Sequence, residues 1–172
     1  MEKIYSVNTI KKWFEDKAKN EKKELSKNKL QALLYYVKGF YFMVGHEPLF
    51  NESIHIVNNL VTIDLIDQDL NESDIDNIEE KDSVVLNFVY EKIGKFEEEI
   101  IIKNLLQELD LVGFKCGYLP DDFISEIFTE LYNKNFGKYP NNYGLNESDI
   151  IMLTSSFILY KYKVAFTELA KY

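Results

Sequence analysis

One cysteine, Cys116, and two histidines, His46 and His55, are the only thiol and imidazole groups in the 172 residues. A zinc site needs such ligands clustered at characteristic spacing, and these three are far apart in sequence. Cys116 with a distant histidine could be drawn as a nucleophile pair, but no motif supports it. An ordinary core or loop thiol is the simpler reading. Calcium is the next chemistry to weigh. Asp69, Asn71, Ser73 and Glu80 fall at the first, third, fifth and twelfth positions of an EF-hand loop. The sixth position, where the sharp turn wants glycine, is Asp74, and the eighth, normally apolar, is Asp76. The run 64–82 carries nine acids and one lysine and reads as a solvated acidic loop. Carboxylate groups such as Asp121-Asp122 and Glu97-Glu98-Glu99 stand where helix starts favour negative charge. Neither GxxxxGK[ST], GxGxxG nor GxSxG occurs. The expectation is a protein that is not an enzyme, with no catalytic residues, no cofactor and no metal.

Charge narrows the class further. The chain has 20 basic and 29 acidic residues, a net charge of −9, and every basic residue is lysine. Without arginine there is no guanidinium fork for phosphate or guanine. Residues 1–38 hold ten lysines against five acids, and the remainder holds ten against twenty-four. A basic start on an acidic body is not a nucleic-acid-binding profile overall. The lysine-rich segment from Lys11 to Lys29 still keeps one alternative open, a nucleic-acid-associated regulator. No apolar run reaches the ~20 residues of a membrane helix, and the first residues, MEKIYSVNTIKKW, lack the apolar core of a signal peptide. A cytoplasmic protein is expected, without membrane contact.

The elements that would position any site are mainly helical. Val7, Ile10, Trp13, Phe14 and Ala18 keep helical spacing behind a cap at Ser6 or Asn8. Ser26 caps a second helix, about 27–44, with apolar positions Leu30, Leu33, Leu34, Val37, Tyr41 and Val44. Tyr35, Tyr36, Phe40 and Phe42 widen that stripe most of the way round, leaving Lys27, Gln31 and Lys38 as its polar edge. Such a helix should be central, and it ends at the turn 45–48. Within 53–66, aliphatic and β-branched residues flank Asn58-Asn59, two residues that tolerate positive φ, so a short β-hairpin is predicted. Helices follow at 84–93 and 97–109, a turn-rich connection at 113–123, a helix at 124–132, a loop at 135–144, and one or two closing helices over 145–172. The hexapeptide LNESDI occurs twice, at 70–75 and 145–150, and reads as a reused helix-start sequence.

Residues 26–52, SKNKLQALLYYVKGFYFMVGHEPLFNE, resemble the signature of the SocA-like antitoxin family, also called the Panacea domain. Lys29-Leu30-Gln31, Leu33-Leu34-Tyr35-Tyr36, Gly39-Phe40, Gly45, Pro48-Leu49-Phe50 and Glu52 fall on it in register. The family continues with a segment like P-I-x-A-W-x-Y-G-P-V. Here Ser53-Ile54 begins it, and Phe114 to Pro120 resembles a diverged remainder.

The resemblance implies one mainly α, compact, helical domain over 1–172, a bundle around the aromatic helix with a family-atypical insertion at about 57–113. It implies an antitoxin from a phage-related or mobile locus that binds and neutralises a toxin encoded nearby, with a protease or chaperone as a further partner. No catalytic residue transfers. The partner patch expected is the turn with His46, Glu47, Phe50 and Glu52, joined to the edge Lys27, Gln31 and Lys38. Phe50 either anchors a partner or plugs the core.

Overall fold

A computed structural model describes residues 3–43, 47–64, 66 and 77–136, with main chain only at 43, 111 and 129–136. Among these lie five helices and a three-stranded antiparallel sheet: α1 (Val7–Asn20), α2 (Lys27–Met43), β1 (Ile54–Val57), β2 (Leu60–Ile63), α3 (Glu80–Lys92), α4 (Glu98–Leu111), β3 (Gly117–Leu119) and α5 (Asp121–Phe136). The protein is mainly α with a short hairpin, as the periodicity predicts.

Local chemistry sets several boundaries. Ser6 is extended and its hydroxyl accepts from the Asn8 amide at 3.2 Å, capping α1. Ser26 does the same for α2 through the Lys29 amide at 3.2 Å. Asn58 and Asn59 have φ of 52° and 62°, the left-handed pair a tight two-residue hairpin needs. β1 and β2 pair in the register Ile54↔Ile63 to Val57↔Leu60. Ile54, Ile56, Val61 and Ile63 face the core.

α2 is the hub. Every residue from Leu30 to Tyr41 is buried. The helix packs against α1, α3, α4, α5 and β2. Phe128 of α5 sits directly on the α2 backbone at Gly39, where a Cβ would drive into the Phe128 ring. The ring also meets Tyr35, Tyr36 and Phe40 at centroid separations of 5.6, 6.2 and 5.2 Å. Such aromatic packing adds to simple area burial.

One feature departs from the sequence reading. β3 arises inside the stretch expected to be a turn-rich connection, pairing antiparallel with β1 so that the sheet order is β2-β1-β3. A three-residue strand containing glycine carries almost no alternation signal, and its partner lies far back in the chain. Within 57–113, α3 and α4 contribute to the core. Val85, Leu86 and Val89 of α3 and Ile101, Leu105 and Leu109 of α4 are buried in the same core cluster as α2. The sequence expectations for His46, for 67–76 with its EF-hand-like residues, and for 137–172 lie outside the described residues.

Candidate partner-binding surface

Three residues of the expected partner patch, Gln31, Lys38 and Phe50, are buried. Gln31 is buried and its side-chain oxygen accepts the main-chain N–H of Ile63 at 2.9 Å. It therefore caps the outer edge of β2. Lys38 is fully buried: its ammonium lies 2.8 Å from Asp121 Oδ1, donates to the Glu52 carbonyl at 3.1 Å, and stands 4.9 Å from the Phe50 ring centroid. Phe50 is fully buried beneath it and forms a parallel bridge with Tyr5. Glu52 is half-buried, and its carboxylate accepts the Val7 amide at 3.0 Å, at the N-terminus of α1 where negative charge is favourable. Gln31 and Lys38 are thus core residues rather than a polar edge, and Phe50 takes the core one of its two expected roles. The physical reason is that each polar group finds an internal partner, which removes the cost of burial. Lys27 and Glu47 are exposed, and His46 is outside the described residues.

Two further buried carboxylates hold the hub. Asp82 accepts from the hydroxyls of Tyr5 at 2.8 Å and Tyr41 at 2.9 Å. Glu108 accepts from Tyr36 at 3.0 Å, from Asn104 at 2.8 Å and, more distantly, from Tyr35 at 3.4 Å. Sequence reasoning placed neither acid, because nothing local distinguishes Asp82 or Glu108 from the solvated acids around them. Burial, with Asp82 alongside, pushes the Tyr5 hydroxyl up to about 12, and the amide that Glu79 donates to it only partly offsets this.

Four of the eight lysines between Lys11 and Lys29 stand beside acids. Lys11 pairs with Glu15, Lys12 with Asp16, Lys17 with Glu91 and Lys23 with Glu21. Burial holds the Lys29 ammonium below its ordinary range. His55 makes an exposed contact with Asp64 at 3.2 Å, and Cys116 is an exposed free thiol. Among the described residues, no group of three His, Cys, Asp or Glu side chains could hold a metal ion. None of the described helices is long and apolar enough to cross a membrane.

Some apolar side chains remain exposed, two of them on the sheet. Among the described residues the exposed large hydrophobics are Ile4, Val57 (47 %), Tyr118 (55 %) and Phe123 (38 %). The last three belong to β1, to β3 and to the first turn of α5. Phe123 is in ring contact with Phe114, 6.2 Å between centroids. Phe114 in turn lines an open groove of about 720 Å³ that runs from the hairpin tip, Asn59 and Leu60, along Ile102 and Leu106 of α4. No model of a protein family, no curated protein and no solved structure matches this chain.

Proposed function

We propose that this chain is an antitoxin-like protein-binding module that neutralises a toxin encoded nearby by direct contact. The observation that carries the reading is the run 26–52, whose residues fall in register on the SocA-like signature. The internal duties of those residues support it. Gln31 caps a strand, Gly39 admits Phe128, Lys38 joins α5 to the turn after α2, and Glu52 ties that turn to α1. These duties make the run part of the core scaffold around α2. The match therefore bears first on construction and through it on function. Delivery of the bound toxin to a protease or chaperone is the mode the resemblance adds.

The surface is consistent with binding rather than catalysis. Tyr118 is 55 % exposed on the sheet, and a tyrosine with free ring surface is a residue type enriched at protein contacts. The nucleic-acid reading draws less support, because three of the four α1 lysines, Lys11, Lys12 and Lys17, stand beside acids and the chain as a whole is acidic. Co-expression of this chain with the adjacent gene tests the proposal. Growth arrest by that gene alone, relieved by this chain, is the expected outcome. A harmless neighbour, or arrest that persists beside this chain, would overturn it.

A further inference from the structure

The two edges of the sheet differ in burial: Val61 and Ile63 of β2 are buried, whereas Gly117 and Tyr118 of β3 are exposed. β2 forms one edge, and the N–H of Ile63 that points away from β1 is taken by buried Gln31. β3 forms the other. The ladder fixes which of its groups point outward. The Asp64 amide donates to the Ser53 carbonyl at 3.0 Å, so Ile54↔Ile63 is a pair that exchanges no hydrogen bonds with each other. In an antiparallel ladder the two kinds of pair alternate. Ile54 and Ile56 therefore turn their N–H and C=O groups toward β3, where they meet Leu119 and Gly117. His55 turns its own toward β2. Tyr118, opposite His55, must direct its N–H and C=O away from β1, off the open edge.

Nothing among the described residues takes these groups. Cys116, Gly117 and Tyr118 are all exposed. A Cβ built at Gly117, whose φ is +98°, meets no atom within 4 Å. The Tyr118 side chain lies on the outer face against the His55 ring, 5.6 Å between centroids, and is 55 % exposed. An unpaired strand edge specifies its own ligand, because only an extended main chain presents donors and acceptors at the strand repeat. Pro120 closes the run on one side, since it has no N–H to offer.

We infer that the open edge of β3, Cys116 to Tyr118, docks an extended segment of a protein partner as a fourth strand. The partner's main chain pairs with Tyr118, and one of its apolar side chains packs on the exposed Tyr118 ring. This rests on the protein-binding reading above but names a surface that reading does not. A fourth strand completes the order β2-β1-β3-partner, with the hairpin and α2 as its rigid backing.

The probe is a displayed library of random seven-residue peptides in flexible glycine-serine flanks, selected on the full chain. Selected peptides should slow hydrogen exchange at the Tyr118 amide, which needs no variant to be read. Tyr118→Pro deletes an N–H that has no internal partner and should weaken their binding at least tenfold, while Tyr118→Phe leaves it within twofold. Failure to select peptides, protection confined to Ile102 and Leu106 of α4, or indifference to Tyr118→Pro in a folded variant would each overturn the inference. So would concentration-dependent dimerisation that protects Tyr118 without peptide, which would make the occupant a second copy. Toxin neutralisation by Tyr118→Pro at full strength would sink the edge and leave the antitoxin reading intact. Edge-binding peptides beside a harmless neighbouring gene would do the reverse.

Discussion

Lys38 and Asp121 form an ion pair with one fully buried end and one end about 41 % exposed, and that asymmetry makes an unequal pair of mutants. Asp121→Ala leaves the buried ammonium over the Phe50 ring with the Glu52 carbonyl as its remaining hydrogen-bond partner. Removing one partner of a buried pair costs about 3–5 kcal/mol, because the remaining charge has no water to return to. For a chain of this size that is a fall in Tm of roughly 6–20 °C. Lys38→Met is the milder change. It fills similar volume, and the exposed Asp121 carboxylate simply hydrates, so the loss is about 0–2 kcal/mol, chiefly the hydrogen bond to Glu52. The double variant should resemble Lys38→Met alone, since no buried charge is left to strand. Urea unfolding of the four proteins gives the complete cycle. Equal losses for the two single variants, or a loss below ~1 kcal/mol for Asp121→Ala, would refute the buried ammonium as the reason these two elements stay joined.

The other predictions concern packing, pH and the turn. Gly39→Ala should cost about 1–3 kcal/mol through overpacking against Phe128, and Phe128→Leu should recover part of the loss when the two are combined, as thermal unfolding would reveal. Phe50→Ala should cost ~3–5 kcal/mol; unchanged stability would return Phe50 to the surface. Tyr5 has its hydroxyl raised to about 12 when folded against an ordinary value near 10, so it stabilises fully below pH 10 and loses that contribution between pH 10 and 12. The loss is ~2–3 kcal/mol at ~1.4 kcal/mol per unit, and Tyr5→Phe should flatten the alkaline limb of a stability profile. Replacing Asn58 and Asn59 together by valine should destabilise the hairpin by ~1–3 kcal/mol because both positions need positive φ, whereas Asn59→Gly should be tolerated.

What the sequence made legible was local. Ser6 and Ser26 announce helix starts because a cap acts within three residues, and Asn58-Asn59 announces a hairpin because the turn is built from its own two residues. The aromatic breadth of α2 correctly marked a helix packed on several sides. Gln31 and Lys38 were misread for the same reason that the helix was well read: helical spacing reports which side a residue occupies, not what waits there. Only the arrival of Asp121 from α5, and of the β2 edge against Gln31, turns those polar positions into core. Asp82 and Glu108 were likewise invisible, since their tyrosine partners come from distant elements. β3 escaped because its three residues acquire strand character only from β1.

The central claim is direct binding of a neighbouring toxin, and sedimentation velocity on the two purified proteins tests it. A stoichiometric complex that forms with the wild-type chain, and with the growth-arresting activity lost at the same molar ratio, is the result predicted here. Two species that sediment independently at micromolar concentration, with the neighbour's activity undiminished, would contradict it.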